Sequence, residues 1–287
     1  MQPYTLVMER MIHLFPFKTA LNASTLFPFQ LNVLEQIRIA AGAGFEGIEL
    51  WVKDIEAYLQ NGGTPVEIKS CLEESGIAFV NAIAFFKWSD ANLHIREAGF
   101  SQAEREIAML SELGCQAVAA PPFGDVEHIS IKEMADNFAR LVSLGRSYGV
   151  EPYLEFWGRA NKLSVLDEAL CVALESGVPD AKILLDPFHM YTGGSDISAM
   201  KRLNGTQIGI FHVNDYPGFP GKEAITDAER VFPGEGIAPS REFATNLIDV
   251  GYRGYLSLEL FMEDYGGMNP REVAVKSLLT MKNAYTI

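Results

Sequence analysis

Positive charge is what this chain has least of. Its 287 residues carry 23 Lys and Arg against 37 Asp and Glu, a formal net charge of −14. The basic side chains never gather into more than pairs, so the cationic stripe by which proteins grip nucleic acid is missing. That excludes a polyanionic partner and favours an unphosphorylated small molecule. Cysteine is scarce as well. Cys71, Cys115 and Cys171 form neither an even set nor a metal-ligand spacing, which leaves them as small buried hydrophobes in a reducing cytoplasm. Long apolar runs are also absent. Although 48% of the residues are hydrophobic, no stretch is long and uninterrupted enough to cross a bilayer. The apolar segment Met1–Pro16 is broken by Glu9 and Arg10 and has no small-residue cleavage site after it, so it reads as an N-terminal extension and not a signal peptide.

What is present is alternation. Strand-like runs fall at Thr19–Ser24, Gly47–Val52, Ala78–Ala84, Ala117–Ala120, Pro152–Phe156, Ile183–Leu185, Gly209–Val213 and Leu256–Leu260. Between them lie amphipathic segments at Leu31–Ala43, Pro65–Ser75, Gln102–Leu113, Ile131–Tyr148, Leu166–Ser176, Pro239–Val250 and Pro270–Tyr285. Glycines at 44, 76, 114, 149 and 254 stand at helix–strand joins, where a left-handed cap is expected. Eight strands with helices between them, and no linker, predict one (β/α)₈ TIM barrel, a fold that needs about 250 residues. Residues 17–287 are therefore expected to form a single catalytic domain.

Four of the strand-like runs end in a side chain able to ligate a metal: Glu155, Asp186, His212 and Glu259. A lone acid after a strand is ordinarily a helix cap or an ion-pair partner. Four such residues at the catalytic end of one barrel predict a site for one divalent ion. Three carboxylates and an imidazole form a hard donor set suited to Mn²⁺, Mg²⁺ or Co²⁺, and Zn²⁺ accepts the same donors. An ion held this way polarises the carbonyl of a hydroxy-ketone, and a carboxylate is a competent base for the adjacent C–H proton. Glu155 and Glu259 come from strands on opposite sides of the barrel mouth, so both are candidate proton carriers. Glu49, ending the second strand-like run, is a candidate substrate contact or a plain cap. The loop Asn214–Pro239, rich in Pro and Gly, follows the His212 strand and is expected to cover substrate.

The set Glu155…Asp186…His212…Glu259, with Asp186-Pro-Phe-His189 at the sixth strand, resembles the xylose isomerase-like barrel superfamily of sugar isomerases, epimerases and endonuclease IV-type enzymes. Within it the chain looks like the inosose (2-keto-myo-inositol) isomerase branch. The resembling pieces are Leu21-Asn22-Ala23-Ser24-Thr25, Gly47-Ile48-Glu49-Leu50, Asn81-Ala82 with Phe85-Phe86, His212-Val213-Asn214-Asp215, and Ile225-Thr226-Asp227 leading to Arg230-Val-Phe-Pro233-Gly234-Glu-Gly236. The resemblance implies that the four named residues hold the metal and that Glu155 and Glu259 exchange the substrate proton. It also implies that His189 and Arg230 bind substrate oxygens. After Glu155 this chain reads Phe-Trp157-Gly-Arg159, where sugar 3-epimerases carry a further acid. That departure makes Trp157 and Arg159 candidate specificity residues.

The implied activity is a metal-dependent sugar isomerase or epimerase acting on a sugar or keto-polyol through an enediolate. The alternative is a dehydratase on the same scaffold, which begins with the same enolisation and then expels a β-hydroxyl from an inosose or a 3-dehydroshikimate-like acid. An endonuclease IV-type phosphodiesterase needs a histidine-rich metal cluster, which five histidines in an acidic chain do not supply. The oligomeric state stays open, a homo-oligomer included.

Overall fold

The structure is a computed structural model that describes residues 15–287; of the expected extension Met1–Pro16, residues 1–14 lie outside the described residues, and His13 with them. Eight parallel strands close into a barrel in chain order. The first half contains β1 Lys18–Asn22, α1 Val33–Ala43, β2 Gly47–Trp51, α2 Val52–Gln60, α3 Pro65–Ser75, β3 Ala78–Ile83, α4 Leu93–Glu112 and β4 Ala117–Ala120. The second half contains α5 Ile131–Ser147, β5 Glu151–Glu155, α6 Leu166–Glu175, β6 Lys182–Leu185, α7 Pro187–Gly193, β7 Ile208–Val213, α8 Ser240–Asp249, β8 Tyr255–Leu258 and α9 Pro270–Ala284. The barrel closes where β1 pairs with β8, Lys18 to Leu21 lying beside Tyr255 to Leu258.

The strands read as short continuous apolar runs because helices cover one face and the barrel interior the other. Every residue of β2 and of β4 is buried. Outside them, local chemistry sets the helix starts. Asn32, Thr64, Ser130 and Asn269 each close a capping box with the Glu three residues on, fixing α1, α3, α5 and α9.

The (β/α)₈ expectation is met, with three local differences. Helix α4 begins at Leu93, not Gln102: Asn92 caps it, but its first turns leave Leu93 and Ile95 exposed, so they carry no apolar stripe to read. Helix α2 follows β2 directly, with Trp51 as an N-cap whose side chain makes no capping hydrogen bond, so no start signal marks it. Helix α7 is a short one hidden behind Asp186-Pro187. Among the cysteines, Cys71 and Cys115 are buried as expected, whereas Cys171 is exposed on α6.

Candidate active site

All four expected ligands stand at the C-terminal rim of the barrel. Glu155 is the last residue of β5, Asp186 and Glu259 follow β6 and β8 directly, and His212 is one residue from the end of β7. Among the described residues, ligand atoms of Asp186, His212 and Glu259 lie within 4.8 Å of one another and form a buried cluster fit for a cation. Glu155 stands outside that trio and faces the same cavity from β5.

The cluster is assembled by neighbours whose polar groups are already committed. His212 has one ring nitrogen, Nε2, 3.1 Å from Glu49 Oε1. Its Nδ1 lies 3.2 Å from Glu259 Oε2 and 3.5 Å from Asp186 Oδ2, yet it has no hydrogen-bond partner. A buried imidazole with one nitrogen fixed by a carboxylate and the other unpartnered between two carboxylate oxygens is the arrangement of a metal-ligating histidine. The donor set fits a divalent ion. Burial alone would lower the His212 pKa, but Glu259 and Glu49 hold it well above the ordinary imidazole value in the metal-free chain.

Asp186 does two jobs with its two oxygens. Oδ1 accepts from the backbone N–H groups of Phe188 and His189 at 2.7 and 3.2 Å, capping α7. Oδ2 accepts from Arg230 Nη1 at 2.9 Å, and the Asn214 amide donates to both oxygens. Burial favours the neutral acid, but the Arg230 guanidinium beside it outweighs this and keeps Asp186 well below the usual carboxylate range. Glu259 is held by Asn22 Nδ2 at 2.9 Å on one oxygen and by Arg230 Nη1 at 2.7 Å on the other.

Arg230 is 1% exposed, its guanidinium packed 4.5 Å from the Phe188 ring centre and 5.1 Å from that of Phe261. Its Nη2 donates to Asp227 at 2.5 Å and lies 3.5 Å from His189 Nε2. Burial lowers the His189 pKa and the Arg230 charge adds to this, while Asp186 opposes, so the ring is held neutral at physiological pH. The loop carrying Arg230 is anchored by Asp215, whose carboxylate accepts from the N–H groups of Tyr216, Gly234, Gly236 and Ala238 at 2.7–3.1 Å. Gly236 is required there, because a β-carbon would lie 2.4 Å from Asp215 Oδ1 and 2.3 Å from the Tyr216 carbonyl.

Above the cluster opens a cavity of about 550 Å³. Glu155, His189, Asp227, Arg230 and Glu259 line its polar side; Trp51, Phe85, Trp157 and Phe261 line an aromatic one. Burial, with Glu259 and Asp186 adding to it and His212 opposing, pushes the Glu155 carboxyl up to about 8. It therefore carries a proton at neutral pH when no metal is present.

The placement of Glu49 differs from a substrate contact. It is fully buried behind His212, accepting from Asn81 Nδ2 at 2.6 Å and from Ser257 Oγ, with Asn22 Nδ2 at 3.4 Å. Inward-facing alternation puts its side chain inside the barrel, one layer below the cavity. Trp157, His189 and Arg230 do line the cavity, and Arg159 reaches its rim while donating to the carbonyls of Lys222 and Ile225. His94 and His128 are exposed, and Trp88 is a core residue donating to the Pro121 carbonyl. Asn22, Asn81, Asn214 and Ser257 escape a reading of the sequence. Their one visible signal is a polar side chain in, or directly after, an otherwise apolar strand.

A closed eight-stranded parallel barrel whose C-terminal rim gathers acidic and imidazole side chains that could hold a metal ion has the layout of a TIM-barrel enzyme. Residues 37–284 match the Xylose isomerase-like TIM barrel family, and the chain belongs to that family. It is 28% identical over 258 residues to an inosose isomerase of Halalkalibacterium halodurans, covering 86% of this chain and 88% of that one. It is 25% identical to a 3-dehydroshikimate dehydratase of Pseudomonas putida over 86% of this chain but 39% of the longer relative. A crystal structure of the IOLI protein with a bound zinc atom superposes with a TM-score of 0.86 at 21% identity, covering 94% of this chain and 98% of that one.

Proposed function

We propose that this protein is a divalent-metal-dependent isomerase or epimerase of inosose-type keto-polyols and keto-sugars, in which Asp186, His212, Glu259 and Glu155 hold the ion. The observation that carries the reading is the unpartnered His212 Nδ1, aimed between the carboxylates of Asp186 and Glu259 beneath a cavity that Glu155 also faces. When bound, the ion supplies Lewis acidity to a substrate carbonyl. The inosose isomerase and dehydratase relatives support the substrate class.

The chain's own groups divide the remaining work. Glu259 and Glu155 come from β8 and β5, across the barrel from one another, and bracket whatever occupies the cavity. One removes the proton beside the carbonyl and the other returns it at the neighbouring carbon or on the opposite face. Arg230, fixed by Asp186, Glu259 and Asp227, presents positive charge where the enediolate oxygens develop negative charge. Neutral His189, beside it, hydrogen-bonds a substrate hydroxyl. Four aromatic rings exclude water from the reacting carbons.

The test is incubation of the metal-loaded protein with a panel of inososes and keto-sugars in D₂O, followed by proton NMR. Deuterium entering the carbon beside the carbonyl, with an isomer or epimer as product, is the expected result. Loss of water from the product spectrum assigns the dehydratase reaction instead. No exchange and no product across the panel overturns the reading.

A further inference from the structure

The cavity is divided by strand. Apart from Asp125 after β4, its charged residues come from β5 to β8 and the segments after them, whereas Trp51, Phe85 and Trp157 stand at or just after the ends of β2, β3 and β5, with Phe261 after β8 closing the arc. The rings form a continuous wall. Trp51 lies 6.0 Å from Phe261 and 5.4 Å from Phe85, and Phe85 lies 6.0 Å from Trp157, centre to centre. Phe123 backs Phe85 at 5.4 Å and Trp157 at 6.4 Å.

Two features make this wall more than a platform for one sugar ring. The first is size: about 550 Å³ falls within the ~300–1,000 Å³ typical of pockets for drug-sized ligands, more than one six-membered polyol ring fills. The second is that the wall itself offers few polar atoms. Trp51 Nε1 already donates to Asn22 Oδ1 at 2.9 Å. At the outer rim the Asp125 carboxylate faces His128 Nδ1 at 3.0 Å, the Asn161 amide donates to Glu127 at 3.1 Å, and Arg159 donates to two backbone carbonyls. A second sugar placed against Trp51, Phe85 and Phe261 would set its hydroxyls on carbon faces that offer them no partner. A flat apolar group would lose nothing and would gain stacking.

We propose that the substrate is a keto-sugar ring bearing an aromatic substituent, an aryl glycoside in chemical class, with the polyol ring over the charged residues and the aryl group against Phe85, Trp51 and Trp157. This rests on the keto-sugar reading of the site and adds a subsite to it. The aryl group takes no part in proton transfer. It anchors the ring, so its binding energy positions the carbon that Glu155 and Glu259 bracket.

The test uses non-reacting probes on the full, metal-loaded chain, with affinities from calorimetry or ligand-observed NMR. Phenyl β-D-glucopyranoside is expected to bind about tenfold more tightly than methyl β-D-glucopyranoside, and more tightly than cellobiose. In Phe85→Leu, which stays apolar but is no longer flat, the phenyl-to-methyl ratio should shrink towards one. The wild-type ratio decides even if that variant folds poorly. Equal affinities for the phenyl and methyl probes, a preference for cellobiose, or no measurable phenyl binding at millimolar concentration overturns the proposal. Failure of the underlying reading looks different: the phenyl preference would hold while no keto-sugar exchanges deuterium.

Discussion

Replacing Glu155 by Gln gives a quantitative test of the site's electrostatics in the metal-free protein. Folding raises the Glu155 pKa from 4.5 to about 8, through burial first and the Glu259 and Asp186 charges after it. A raised carboxylate is protonated in the folded chain where the unfolded chain has already ionised. Its effect on stability is therefore nil below the unfolded value, grows unfavourable as pH rises through the window between 4.5 and about 8, and is complete above that. At ~1.4 kcal/mol per pKa unit the full penalty is about 4–5 kcal/mol. Gln copies the shape of the neutral acid but cannot ionise. Glu155→Gln should thus match wild type near pH 5 in chelator and exceed it by up to about 4–5 kcal/mol near pH 9. Urea unfolding at one-unit pH intervals supplies the comparison. Groups shifted the other way, Glu49 and Asp186, are common to both proteins, so the difference isolates Glu155. Added divalent ion should release more protons at pH 7 from wild type than from the variant, by about the one that Glu155 carries, visible as a difference in the buffer-dependent heat of binding. A stability difference that does not change with pH would refute burial and carboxylate repulsion as the forces that keep a proton on Glu155.

Three further outcomes follow from the same contacts. Asp186→Asn keeps an N-cap for α7 but removes a ligand charge that also faces Arg230, so elemental analysis should show metal occupancy below about a tenth of wild type and the melting temperature should fall; full occupancy would remove Asp186 from the ligand set. Arg230→Lys keeps the charge but not the planar fork that spans Asp186, Glu259 and Asp227, and turnover should fall at least about tenfold with metal retained; unchanged kcat and KM would place Arg230 outside the reaction. Asn22→Ala strips partners from Glu259 Oε1 and from Trp51 Nε1, which should cost about 1–3 kcal/mol in urea unfolding and lower kcat more than KM; a silent change would show that these groups repair themselves.

The barrel is legible because its signals are local. Each strand is a short apolar run, and Asn32, Ser130 and Asn269 announce helices through capping boxes that lie within four residues of sequence. Helix α2 is not legible because it follows β2 without a cap, and the start of α4 is hidden because its first turns face solvent with Leu93 and Ile95. Within the site, ligand-type side chains at strand ends can be read singly. What sequence does not carry is depth along the barrel axis. Glu49 and Glu259 are both acids in or directly after apolar strands, yet Glu49, in the middle of β2 between Asn22 and Asn81, lies in the layer below the cavity, and Glu259, directly after β8, lies at its floor. The supporting amides are hidden for the same reason: Asn22 acquires its meaning only from Glu259, 237 positions away in the chain.

Asp215 divides the loop after β7 into two parts with different freedoms. Three of the four N–H groups it gathers, those of Gly234, Gly236 and Ala238, pin the inner part, residues 231–238, and so fix Arg230 whatever happens farther out. The outer part, residues 217–224, is exposed or half-buried, and Arg159 makes its main tie to the barrel. Substitutions and insertions there alter the rim of the cavity without transmitting a displacement to the guanidinium. In evolutionary terms the chemistry and its selectivity are carried on separable stretches of one loop, so a lineage can change what enters the cavity while conserving what happens inside it.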